Sequence, residues 1–188
     1  LVALMAVMFG GCAAETQTSR QARNGVNLYY IGDYPQSEAA FQPEAQKKDE
    51  NFVLNNCRYG SAALAAGDLP TAENAFMNSY DVINSVKTND SGRSLGAAVI
   101  FEGIKVWKGE PFERAMTHYY LGLVYLMKGD YENARAAFQN SLFKLREYAK
   151  ESVESKDKDV YKPFESNFAL GYFGLAFSYM RLGKSDLA

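Results

Sequence analysis

Residues Ala115 to Leu142 read AMTHYYLGLVYLMKGDYENARAAFQNSL. An apolar and aromatic run ends at Lys128, Gly129-Asp130 follows, and a second run opens at Tyr131. A glycine there suits the left-handed position that closes a helix, where a Cβ is costly. An aspartate directly after it suits the cap of a following helix. The stretch therefore predicts a helix, a tight turn and a second helix. Gly122, seven residues before the turn glycine, lets the second helix approach closely, and Phe138 lies nine residues after that glycine.

The same pattern recurs outward from this unit. Gly32-Asp33-Tyr34 precedes Ala40-Phe41, Gly67-Asp68-Leu69 precedes Ala72 and Phe76, and Gly183-Lys184-Ser185 precedes Ala188. Upstream, Tyr59-Gly60 with Ala63 and Leu175-Ala176 with Tyr179 repeat the Leu121-Gly122 and Tyr125 of the first unit. This arrangement resembles the tetratricopeptide repeat, with 115–142 the fullest match and 53–80 carrying Ala63 where the family has Tyr. Around Gly32, Asn24-Gly25 and Leu28 fit, and Ser37 stands where the family has Ala. The resemblance implies an all-α, right-handed solenoid of helical hairpins, with pairs expected near 20–48, 50–83, 111–150 and 163–188. Turn glycines 32 and 67 are 35 residues apart, but 67 to 129 is 62 and 129 to 183 is 54. Against a repeat of about 34, this predicts an insert at 84–110 between the second and third pairs and a shorter one after the third. The domain is expected to cover 13–188. Leu1 in place of Met, and a pattern broken at Ala188, read as a piece of a longer product.

Ahead of the repeats, Leu1 to Gly11 (LVALMAVMFGG) carries no charge. As a helix it would be about 16 Å long, short of the roughly 30 Å of a bilayer core. It fits the apolar part of a secretory signal. Phe9-Gly10-Gly11-Cys12 resembles a bacterial lipoprotein lipobox, which implies that residues 1–12 form a signal ending at Cys12, the lipidated residue. Ala13 after that cysteine implies, by the same resemblance, the outer membrane, facing the periplasm. The stretch Lys108 to Ala137 is similar to bacterial tetratricopeptide envelope lipoproteins, a likeness that brings no assigned activity.

Composition removes several classes of function. Lys plus Arg is 20 and Asp plus Glu is 22 across 188 residues, a net charge of −2. A nucleic-acid binder would show a basic surplus. One His and two distant Cys exclude a His/Cys metal site. No phosphate-loop pattern occurs. His118 lies where helices pack and reads as a core residue. Glu110 and Glu113 sit at a helix start and read as partners of the helix dipole. Cys57 reads as a buried thiol. No cofactor and no catalytic residue is expected.

What remains is a surface. In such a stack the first helix of each pair lines the concave face. Repeat register places Leu54, Cys57, Ser61, Leu64 and Ala65, then Met116, Tyr119, Leu123, Leu126 and Met127, then Leu170, Phe173, Phe177, Met180 and Arg181 along it. The Lys, Arg and Asn with which relatives clamp a terminal carboxylate are almost absent from those positions, so no such clamp is expected. Aromatic and Met side chains offer contact area at low entropic cost. The expected contacts are Tyr119, Leu123, Met127, Phe173 and Phe177, with Trp107 on the insert. The expected function is a non-catalytic scaffold, lipid-anchored in the bacterial cell envelope, that binds an envelope protein or peptide segment. The alternative is a carrier of an apolar ligand, a lipid or glycan chain, between groove and insert. Inserts folded back over the face would fill it instead.

Overall fold

A computed structural model describes residues 17–84, 109–154 and 167–188, and among these it contains seven α-helices and no strand. They are α1 (Gln17–Tyr30), α2 (Tyr34–Ala45), α3 (Phe52–Ala66), α4 (Leu69–Asn84), α5 (Pro111–Lys128), α6 (Tyr131–Glu154) and α7 (Ala169–Arg181). A short 3₁₀ turn, Ser185–Leu187, follows. Cys12, Trp107, nearly all of the expected insert and the charged stretch before α7 lie outside the described residues. Each helix packs against the next: α1/α2, α3/α4 and α5/α6 are hairpins, α2 meets α3, α4 meets α5, and α6 meets α7. The all-α hairpin array is the architecture the repeats predict.

The turns show why the pattern repeats. Gly32, Gly67, Gly129 and Gly183 all have φ between 71° and 85°, where a Cβ would be strained. After each, the next N–H reaches back to a helical carbonyl at 2.9 Å: Asp33 to Leu28, Asp68 to Ala63, Asp130 to Tyr125 and Lys184 to Tyr179. That bond satisfies a carbonyl the helix end would otherwise leave without a partner. The first three turns then use their aspartate, whose Oδ1 accepts from the N–H of Gln36, Thr71 and Asn133 at 3.1 to 3.3 Å. Lys184 has no acceptor to offer, and the fourth turn leads into the 3₁₀ turn.

Packing follows from the small residues. A Cβ on Gly25 would stand 2.7 Å from the Phe41 ring, on Gly60 3.0 Å from Phe76, and on Gly122 2.8 Å from Phe138. Phe138 is clasped from its other side by α7, where a Cβ on Gly174 would come within 2.6 Å of it. In the fourth unit Gly174 and Gly171 make the close approach to the preceding hairpin. The core is continuous across the expected insert: Ala63, Ala72 and Phe76 share one cluster with Leu121 and Val124. The Phe76 and Tyr120 rings stack across that joint at 5.7 Å.

Candidate interaction face

Alternate helices meet: α3 touches α5, and α5 touches α7. Between α3 and α5 lies a cleft of about 270 Å³, lined mainly by Val53, Leu54, Phe76, Ile83, Phe112, Met116 and Tyr120. Its polar members are Cys57, Ser61, Glu113 and Thr117. The Cys57 thiol donates to Ser79 Oγ at 3.5 Å and lies 3.3 Å from Thr117 Oγ1. Burial pushes its pKa up, so it stays a thiol, and the thiol is a poor nucleophile.

Around α5 and α7 the face changes from packed to exposed. Tyr119, expected as a contact residue, is 9% exposed. Its ring meets those of Phe168 at 5.0 Å, Phe138 at 5.6 Å and Tyr120 at 5.8 Å. Phe168, just ahead of α7, caps it, so Tyr119 holds two hairpins together instead of offering a surface. Leu123 is half-buried against the same cluster. Met127 is exposed, as are Phe173 at 70% and Phe177, whose rings stack at 6.4 Å. Leu170 and Met180 extend this strip along one side of α7, both exposed. Trp107 lies outside the described residues.

Two arginines that sequence reading passed over share a further cleft. Between α1 and α3 a space of about 430 Å³ is lined by Ala22, Arg23, Val26, Asn51, Leu54, Asn55 and Arg58. Arg58 Nη1 donates to Asn55 Oδ1 at 3.4 Å, and Asn55 Nδ2 donates to the Glu44 carbonyl at 3.5 Å. The signal was present: Arg23 and Arg58 are 35 residues apart, the same step as Gly32 to Gly67, so they hold equivalent places in consecutive hairpins.

The titratable groups singled out earlier have structural partners. His118 is 1% exposed and meets the Tyr80 ring edge-on at 5.2 Å. Among the described residues neither ring nitrogen has a hydrogen-bond partner. Burial, with a smaller contribution from Lys144, lowers its pKa to about 4, so at neutral pH it is uncharged. Glu113 Oε2 accepts from the Glu110 N–H at 2.8 Å, one arm of a reciprocal capping box at the start of α5. Among the described residues no group of His, Cys, Asp and Glu could hold a metal ion. None of the described helices is long and apolar enough to cross a membrane.

Helical hairpins stacked in chain order, each turn closed by Gly and capped by Asp, define a hairpin-repeat solenoid. The family model of the tetratricopeptide repeat matches residues 115–148, which hold α5 from Ala115 and most of α6. That match, set inside an all-helical array of like hairpins, supports a tetratricopeptide-repeat protein. Repeats of this family are protein-interaction scaffolds. No curated protein matches the chain.

Proposed function

We propose that this protein is a lipid-anchored scaffold of the bacterial cell envelope, facing the periplasm, that binds a segment of another envelope protein along its alternate-helix face. The observation that carries the binding is the strip Leu170, Phe173, Phe177 and Met180, four large apolar side chains exposed along one side of α7, with Met127 of α5 exposed as well. Single exposed apolar residues are ordinary, but a contiguous set marks an interaction surface. The anchor rests on Phe9-Gly10-Gly11-Cys12 behind an uncharged run. Several acyl chains on Cys12 would hold the protein durably, where one chain is marginal.

A carrier of a lipid or glycan chain is the weaker reading. Pockets that enclose small molecules run to about 300–1,000 Å³, and the apolar cleft between α3 and α5 reaches about 270 Å³. Two measurements test the scaffold. Cys12→Ser should move the protein from the membrane to the soluble fraction; unchanged retention counts against the anchor. Capture from envelope extract should yield a partner that is lost with Phe173→Ala and Phe177→Ala. A partner held equally by native and doubly substituted protein would place binding elsewhere.

A further inference from the structure

The alternate-helix face changes chemistry along its length. Its α5–α7 end is aromatic, its α3–α5 cleft is apolar, and its α1–α3 cleft carries two guanidinium groups. Arg58 is half-buried, and among the described residues it takes part in no ion pair. Its one hydrogen bond, to Asn55 Oδ1, fixes the guanidinium without neutralising it. Asn55 is itself buried, at 2% exposure, so the support is rigid. Desolvation lowers the Arg58 pKa, which means that the charge sits where water solvates it poorly and an arriving anion would offset that cost. Arg23 faces the same space from α1. Of the two acids directly ahead of α3, Asp49 accepts from the Asn51 N–H at 2.8 Å and Glu50 is exposed.

Leu54 lines both this cleft and the apolar one beside it. A bound chain can therefore pass from the arginines across Leu54 to Phe112 and Met116 without leaving the protein surface. We propose that the segment this face binds carries an acidic side chain next to apolar ones, its carboxylate held between Arg23 and Arg58 and its apolar side chains across Leu54 in the α3–α5 cleft. The inference rests on the scaffold reading and names the chemistry of its partner. A planar carboxylate suits the fork of a guanidinium, and such charge-assisted bonds are the strong ones. Both clefts are open grooves, which suits an extended peptide better than an enclosed small molecule.

The test is fluorescence anisotropy on the full chain with hexapeptides blocked at both ends, so that no terminal carboxylate is present. The probes are acetyl-Glu-Glu-Leu-Phe-Leu-Phe-amide, the same residues in reverse order, and the counterparts of both with Gln for Glu. In one of the two orders the Glu peptide should bind roughly tenfold tighter than its Gln counterpart. That advantage should vanish in Arg58→Gln and in Arg23→Gln; Arg23 is exposed on α1, so its substitution leaves the fold intact if Arg58→Gln does not. Equal binding of Glu and Gln peptides would overturn the inference while leaving the scaffold reading in place. Binding of none of the four would also overturn it, and the Phe173 and Phe177 capture experiment then judges the scaffold separately. Arg58-dependent binding of sodium decanoate, without a preference for Glu peptides, would assign the cleft to an amphiphile and overturn it too.

Discussion

At the scale of single residues, two positions make the fold's demands measurable. His118 is buried among α4, α5 and α6, and among the described residues neither ring nitrogen has a partner. Its pKa is about 4 in the folded protein, against an ordinary 6.5. Between those values the unfolded chain takes up a proton that the folded chain refuses, so stability falls as pH falls. The contribution is full above pH 6.5 and gone near pH 4, and a difference of this size is worth about 3 kcal/mol. Urea midpoints should therefore drop over that window in the native protein and drop less in His118→Phe, which keeps a ring against Tyr80. Parallel pH profiles for the two would show that the imidazole is not the group responsible. Gly174 tests the packing: a Cβ there meets Phe138 at 2.6 Å. Gly174→Ala gains about 1 kcal/mol of helix propensity but overpacks the joint by roughly 1–3 kcal/mol. A net loss of melting temperature is expected, and pairing it with Phe138→Leu should recover part of that loss. Full additivity of the two substitutions would show that they do not meet.

At the scale of elements, the turns were the most legible part of the sequence, because their cause is local. A glycine that must be left-handed and an aspartate that must cap the next helix stand side by side, and no distant residue decides them. Asp130→Ala removes the acceptor for the Asn133 N–H at 3.2 Å and should cost about 1 kcal/mol in chemical denaturation. An unchanged midpoint would mean that the backbone bond from residue 130 to Tyr125 carries the turn alone. Side chains between elements were less legible. Tyr119 holds a register position that points toward the groove, yet Phe168, some fifty residues later in the chain, covers it. Nothing within the repeat that contains Tyr119 announces that ring. The arginine pair was legible in principle, since Arg23 and Arg58 keep the repeat's own step. Arg23 was missed because the first hairpin matches the family pattern less fully than the others and its face was left out of the register, and Arg58, next to Cys57 in the second hairpin, drew no notice without its counterpart. Gly174 was hidden for a related reason: the spacing drew attention to Ala176, while the contact with the preceding hairpin falls two residues earlier.

At the scale of the whole molecule, stability should be passed along a line rather than shared through one centre. Among the described residues each helix packs on the next, and alternate helices make lesser contacts beyond that. The core divides accordingly: Val53 with Val82 and Ile83, Phe76 with Leu121 and Val124, and Tyr119 with Phe138 and Phe168. In such a stack, free energy is approximately a sum of hairpin and neighbour-interface contributions. Phe138 belongs to the last of these joints, clasped between Gly122 of α5 and Gly174 of α7. Phe138→Leu should remove roughly 1–3 kcal/mol, and the loss should be felt unevenly. Native-state hydrogen exchange is expected to show the protection of α7 falling most, that of α5 and α6 falling by less, and that of α1 and α2 nearly unchanged. The reason is geometric: α7 has α6 as its one extensive neighbour among the described helices, whereas α5 also rests on α4 through the Phe76–Tyr120 stack. If protection fell equally from α1 to α7, the array would be unfolding as one cooperative body, and the exposed strip on α7 would then be as firmly held as the arginine cleft at the other end.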